Sequence, residues 1–358
     1  MPAYNLQEIA SKFCTYKVIE PYGDGHINDT YIAYANKRYI LQKINSNIFL
    51  SPEDVMENIK LVTEHVRNKL IERNGDVARG TLKVIPTLDG KSFYKTENGE
   101  YFRMYEFIEN ALSYSKTDSP DIFYSAGKGF GEFFDLLSDF DATQLKETIK
   151  NFHYTPARYE ALCEAIENDK CGRAKTATPE IEFALAHKDM ASVITDLIES
   201  GDIPLRVTHN DTKLNNIMLD NDTKEPVCVI DLDTVMPGSI LYDFGDSIRF
   251  GASSAEEDEH DLNKVYCDMD LFEAFTRGFL ENTRKFLTQK EIELLVFSAR
   301  LLTYECGIRF LADYLNGDTY FKTHYTGQNL FRARTQFKLI SDMEAKEQIM
   351  QDIVKRYV

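Results

Sequence analysis

A long run of helical patterning is broken once, between Leu205 and Leu232, by a short β-rich island, and this interruption constrains the chain more than any other feature. On either side of it, residues 121–137, 156–167, 179–199, 241–250, 269–286 and 288–315 carry apolar side chains at three- and four-residue spacing, the stripe of a helix that buries one face. The first hundred residues read differently. Short β-rich runs at 17–22, 30–35, 38–44, 92–94 and 100–108 surround a single long helical pattern at 52–73. The order of these patterns predicts an α+β chain in two lobes, a small β-rich lobe at residues 1–108 with one long helix and a large helical lobe at 109–358, with the crossover at 106–110. No 20–50-residue period and no Pro/Gly/Ser linker interrupts it, so one compact unit with an internal cleft is expected.

Composition narrows the function. The 358 residues are 43% hydrophobic, enough to bury a sizeable core, and 41 Lys and Arg against 58 Asp and Glu leave a formal charge of −17. That balance repels nucleic-acid backbones and anionic membranes, so neither is expected as a partner. The six cysteines lie apart with no CxxC pair and read as free thiols, not a metal site or a disulfide framework. With no basic-then-apolar leader at the N-terminus and no run of eighteen apolar residues, a cytoplasmic protein is expected, and no protein partner is implied.

The island holds the chemistry. Val207 to Asp220 and Val227 to Asp233 read as two apolar strands joined by a polar turn. Centring that turn between Thr223 and Lys224 sets Asn216 opposite Asp231. An amide oxygen beside a carboxylate is a hard ligand pair suited to Mg²⁺, which prefers one or two carboxylates with water and phosphates. Asp211, five residues before Asn216, can take a proton from an alcohol, and Lys213 supplies a positive charge for a migrating phosphoryl group. Singly, an Asp or Asn in a loop is a turn former and His209 a core residue. Together, His209, Asp211, Lys213 and Asn216, followed by an apolar strand ending in Asp231, point to one phosphoryl-transfer site.

These residues resemble the catalytic loop of protein kinases, with Asp211 as base and Asp231 in the place of their metal-binding Asp. The Phe-Gly that follows that Asp in protein kinases is missing. The stretch from Pro237 to Asp246 instead resembles the aminoglycoside phosphotransferase and choline kinase family, and this implies that Asp243 ties down the catalytic loop. Tyr22 to Asn28, Val207 to Asp220, Ile230 to Gly238, Asp243 to Ala252 and Glu305 to Tyr314 further resemble the N-acetylhexosamine 1-kinases of that family, over nearly the whole chain. The resemblance implies a protein-kinase-like two-lobe fold and ATP-dependent, Mg²⁺-dependent phosphorylation of the anomeric hydroxyl of GlcNAc or GalNAc. It also implies that His26, Asp211, Arg309 and Tyr320 hydrogen-bond the sugar, and that the backbone of Glu106, Phe107 and Ile108 holds the adenine.

Other features carry weight of their own. The Gly23-Asp24-Gly25 turn, with Asn28 close behind, lets backbone approach phosphates, although a plain hairpin would use the same residues. Continuing the stripe Ile292, Leu295, Ala299, Leu302 and Cys306 lands on Arg309, which points a guanidinium at core or cleft; it either grips a neutral sugar or pairs with Asp313. On the third strand Gln42 stands where protein kinases place a phosphate-gripping Lys, and Lys43 faces the other side. Either Lys43 turns inward through a bulge, or Mg²⁺ and backbone amides hold the phosphates. The acidic run at 256–261 reads as a solvated helix start, and residues 342–358 as an amphipathic helix. A choline, homoserine or aminoglycoside kinase, or an inactive nucleotide-binding protein, are the competing readings; the preferred epimer and the oligomeric state are not encoded legibly.

Overall fold

The computed structural model describes residues 4–23 and 27–358, so Gly25 and His26 lie outside the described residues. After a short helix, α1 (Leu6–Ser11), come strands β1 (Val18–Pro21), β2 (Asp29–Tyr34) and β3 (Arg38–Ile44), helix α2 (Pro52–Glu72), and strands β4 (Val84–Ile85), β5 (Tyr94–Lys95) and β6 (Tyr101–Glu106). They form one antiparallel sheet in the order β1-β2-β3-β6-β4, with β5 also pairing β6. Helix α2 begins where Ser51 caps the Asp54 N–H and Pro52 opens the first turn, and it buries Val55, Ile59, Val62, Val66 and Leu70 along one face.

Beyond the sheet, β7 (Ala111–Leu112) leads into α3 (Pro120–Leu136), α4 (Thr155–Asn168), α5 (Thr178–Ala186) and α6 (Val193–Glu199). The island follows as β8 (Arg206–Thr208), β9 (Ile217–Asp220), β10 (Pro226–Val229) and β11 (Met236–Gly238). Helices α7 (Ile240–Gly251), α8 (Met269–Thr283), α9 (Gln289–Leu315), α10 (Gln328–Ala345) and α11 (Glu347–Tyr357) complete the chain. Helices α3 and α8 press together until a Cβ at Gly127 would stand 2.4 Å from the Phe275 carbonyl. None of the helices among the described residues is long and apolar enough to cross a membrane.

Three expectations change. The pattern at 179–199 is two helices: α5 ends at Ala186, where the His187 ring bonds back to the Phe183 carbonyl at 2.8 Å, and α6 begins at Val193. The helix expected from residue 342 starts at Gln328 and breaks at Lys346, whose ammonium turns to the Cys267 carbonyl at 3.0 Å and to Asp342 at 2.7 Å. The β9–β10 register is one residue short of expectation: Val229 faces Ile217, and the Ile230 N–H donates to the Asn216 carbonyl, so Asn216 faces Ile230 and not Asp231. The slip comes from the turn. Asp220 accepts the N–H groups of Asp222 and Thr223, Lys224 takes a left-handed φ of 61°, and a bulge at Val227 absorbs the extra residue.

Candidate active site

Strand β8 delivers the catalytic loop and α7 anchors it. The Asp243 carboxylate, buried near the start of α7, accepts the N–H of His209 at 3.0 Å and of Asn210 at 2.6 Å, while the Thr212 hydroxyl donates to the Asp243 carbonyl at 2.6 Å. Burial pushes the Asp243 carboxyl up to about 7, against the pull of those two N–H groups. His209 is fully buried, which lowers its pKa. Its Nε2 donates to the Ile230 carbonyl at 2.9 Å and its Nδ1 accepts the Asp211 N–H, so a neutral ring links the two halves of the island.

Asp211, Lys213 and Asn216 come together as the spacing predicts. The Lys213 ammonium lies 2.7 Å from Asp211 Oδ1, and the Asn216 amide donates to Asp211 Oδ2 at 2.9 Å and to the Asp211 carbonyl at 2.8 Å. Burial works to lower the Lys213 pKa, but Asp211 and Asp246 hold it above its ordinary value. Asn216 thus spends its N–H₂ on Asp211 and keeps its Oδ1 free of hydrogen bonds among the described residues.

Asp231 enters this group by leaving its strand. It takes a left-handed φ of 59° and starts the short turn Leu232–Thr234, and despite the shifted register it lies near enough to Asp211 and Lys213 to feel their charges. Crowding by neighbouring protein, with the Asp233 and Asp211 charges nearby, holds its carboxyl above the ordinary carboxylate range. Among the described residues no three His, Cys, Asp or Glu side chains gather around a point. One carboxylate and one amide oxygen fit Mg²⁺, which completes its shell with water and phosphate, better than Zn²⁺.

On the sheet side, Gly23 has the left-handed φ of 71° that its place in the turn requires. Asn28 is buried. It donates to Asp233 Oδ2 at 2.7 Å and accepts the Asn45 N–H at 3.0 Å, so it joins the sheet to the metal loop. At the crossover the Glu106 side chain is taken by Lys37 and Lys83, and the Phe107 N–H by the Arg38 carbonyl. Of the three N–H groups in this stretch, only that of Ile108 makes no hydrogen bond among the described residues. The inward turn considered for Lys43 does not occur: β3 is regular there, and Lys43 pairs with Glu100 at 2.7 Å.

The acceptor side is built on α7, α9 and the segment after α9. Glu305 holds His153 at 2.9 Å and the Thr155 hydroxyl at 2.6 Å, and His153 Nε2 reaches the Asn210 carbonyl at 3.4 Å, next to Asp211. Although burial opposes both ionised forms, the two partners raise the His153 pKa and lower that of Glu305. One turn beyond Glu305, Arg309 lies 5.5 Å from the Phe321 ring and 6.0 Å from the Tyr320 ring and has no carboxylate partner among the described residues. The alternative pairing with Asp313 is not made. Asp313 instead accepts the N–H groups of Thr319, Tyr320 and Phe321 and the Asn329 amide, and so shapes the segment that carries Tyr320.

The acidic run is not a helix start but a loop folded against that wall. Glu257 lies between Arg249, 3.6 Å away, and Arg332, 3.5 Å away, and Asp258 accepts from the Tyr325 hydroxyl and the Gln328 amide. Sequence reasoning passed over Arg103, Asp233, His153 and Glu305. Alternation along β6 was the one available signal for Arg103.

A model of the phosphotransferase enzyme family matches residues 18–277. The chain belongs to this family. Among solved structures it is similar to an aminoglycoside phosphotransferase from Alicyclobacillus acidocaldarius subsp. acidocaldarius (TM-score 0.66, 11% identity, covering 99% of this chain and 98% of that one). It is also similar to a microcompartment-associated aminopropanol kinase (0.61, 14%, 93% and 93%) and to a choline kinase from Cryptosporidium parvum (0.54, 14%, 94% and 91%). At these identities the likeness establishes the fold, which is protein-kinase-like: an antiparallel sheet toward the N-terminus and a helical remainder. As a member of this phosphotransferase family, the chain has the site just described in the family's matched region from β1 through α7, while α9 and Arg309 lie past the match.

Proposed function

We propose that this phosphotransferase is an ATP-dependent N-acetylhexosamine 1-kinase, transferring the γ-phosphoryl group to the anomeric hydroxyl of GlcNAc or GalNAc. The observation that carries the reading is Arg309, a guanidinium on the acceptor wall with no carboxylate to neutralise it among the described residues. Arg158 adds to this. Its Nη2 binds the Asn151 and Phe152 carbonyls, its Nε is buried without a partner, and burial together with Arg309 lowers its pKa. The nearby carboxylates are already spent, Asp246 and Glu257 on Arg249 and Glu305 on His153. A cationic acceptor such as choline or an aminoglycoside would meet uncompensated positive charge there. A neutral ring rich in hydroxyl and amide oxygens would meet donors.

In this mechanism Asp211, held by Lys213 and Asn216, accepts the anomeric proton as the sugar oxygen bonds to the γ-phosphorus. The bond from phosphorus to the β,γ-bridging oxygen breaks, and ADP leaves with that oxygen. Asn216 and Asp231 would hold Mg²⁺, which offsets phosphate charge. Lys213 stays on the path of the moving charge, and Tyr320, with His26 outside the described residues, completes the acceptor contacts. The reading is tested by offering ATP, Mg²⁺ and a panel of N-acetylhexosamines, choline, homoserine and an aminoglycoside, with products identified by phosphorus NMR. A glycosyl phosphate is expected. Turnover confined to an amine-bearing acceptor overturns the reading.

A further inference from the structure

Asp231 lies close enough to Asp233 and Asp211 to feel both charges, and a polyphosphate would add negative charge, so a cation on the sheet side is needed to balance them. Most sheet-side cations are committed elsewhere: Lys37 and Lys83 to Glu106, Arg38 to Glu109, Lys43 to Glu100 and Lys95 to Glu53. Arg103 differs. Along β6, Phe102 and Met104 bury in the cluster beneath α1, while Tyr101 and Tyr105 turn to the main core, and alternation sends Arg103 the same way.

Arg103 is 1% exposed and stands directly across the ladder from Gln42. Two N–H donors on one edge of its guanidinium converge on Gln42 Oε1, with Nε at 3.1 Å and Nη2 at 2.9 Å, and Nη1 pairs with Asp233 Oδ1. The other oxygen of Asp233 is the one held by Asn28. Both oxygens of Asp233 are therefore captive to the sheet, and Asp233 is the central residue of the turn that Asp231 opens. The position left without a lysine on β3 is occupied, one strand over, by a planar fork that only an arginine can provide.

We propose that Arg103 is the positioning residue of the nucleotide-phosphate end of the site: through Gln42 and Asp233 it fixes the turn bearing Asp231 and supplies, from β6, the sheet-side positive charge missing from β3. The inference rests on reading the cleft as a nucleotide site. Removing a buried partner that orients a metal ligand costs about 10- to 100-fold in metal affinity, and a loss of that size is expected for Mg-ADP in Arg103→Met, with a smaller one in Arg103→Lys.

The test is calorimetric titration of Mg-ADP without acceptor, paired with separate KM values for ATP and acceptor. Expected are weaker Mg-ADP binding, an ATP KM that rises in step and an acceptor KM within about twofold of the parent. Gln42→Lys added to Arg103→Met returns a cation to β3 and is expected to recover most of the lost affinity. Parental Mg-ADP binding by folded Arg103→Met overturns the inference, as does an equal rise in both KM values. Should Arg103→Met fail to fold, unchanged Mg-ADP binding by both Arg103→Lys and Asp233→Asn overturns it instead. If the parent protein itself binds no Mg-ADP, the nucleotide reading falls, a result distinct from parent and variants binding alike.

Discussion

Asp211 carries the proposed chemistry, yet its position is set by neighbours a few residues away, which is why it could be read from the sequence. Asn216 and Lys213 reach it from the same loop, so spacing alone brought the three together. Asp211→Asn should lower turnover by about 10²- to 10⁴-fold and leave Mg-ADP affinity unchanged, checked by steady-state rates beside calorimetry. Arg309→Ala should raise acceptor KM about tenfold or more with ATP KM unmoved, and Arg309→Lys should recover little, because an ammonium cannot reproduce a planar fork. Asp243 makes a prediction about pH. Its folded pKa, about 7, lies above the ordinary 3.8, so between those values the folded protein holds a proton that the unfolded chain has released. This group's contribution to stability therefore falls as pH rises through that window, by about 1 kcal/mol per pH unit at its steepest. Denaturation midpoints of Asp243→Asn against the parent, from pH 4.5 to 8, should converge with pH if the parent loses this stability and the variant does not. Arg103, His153, Glu305 and Asp233 stayed hidden because each finds its partner more than a hundred residues away.

Long unbroken runs of apolar periodicity were legible as helices. The expected limits of α2, α3, α7, α8 and α9 fall within a few residues of those observed, although α9 buries Leu295 and Leu302 in one cluster and Ile308 and Leu311 in another. The pattern at 179–199 failed because periodicity records that residues are buried, not that the backbone stays helical between Ala186 and Val193. Helix α10 was missed although Ala333, Phe337 and Ile340 keep helical spacing, since polar and charged residues dilute its stripe. The hairpin slip shows a different limit: alternation sets which face a strand buries, but the Asp220 turn and the bulge set the register. Close helix contacts leave their own mark in glycine. Gly127→Ala would drive a methyl into the Phe275 carbonyl on α8, and urea denaturation should show a loss of about 1–3 kcal/mol with no change in KM if the site is held by α7 and not by α3.

At the scale of the whole molecule, the apolar core does not stop at the crossover. One cluster runs from Ile44, Val55 and Tyr105 beside the sheet to Phe244, Leu295 and Met343 in the helical region. Polar ties cross the same boundary: Asn58 on α2 donates to the Val235 carbonyl at 2.9 Å, and Arg103 and Asn28 both hold Asp233. Separating the two regions would strand a buried ion pair and open that core, so packing and polar ties both join the sheet to the helices. Ligand binding should therefore stabilise the molecule as a unit. With Mg-ADP at about 100 times its Kd, mass action predicts about 2.7 kcal/mol of added stability, read as a shift of one unfolding transition common to far-ultraviolet and tyrosine near-ultraviolet dichroism. Asp231→Ala should remove the Mg²⁺-dependent part of that shift and leave any shift from ADP alone. A shift that survives the substitution would place the metal elsewhere, and two separated transitions would show that the sheet and the helices unfold independently despite the ties between them.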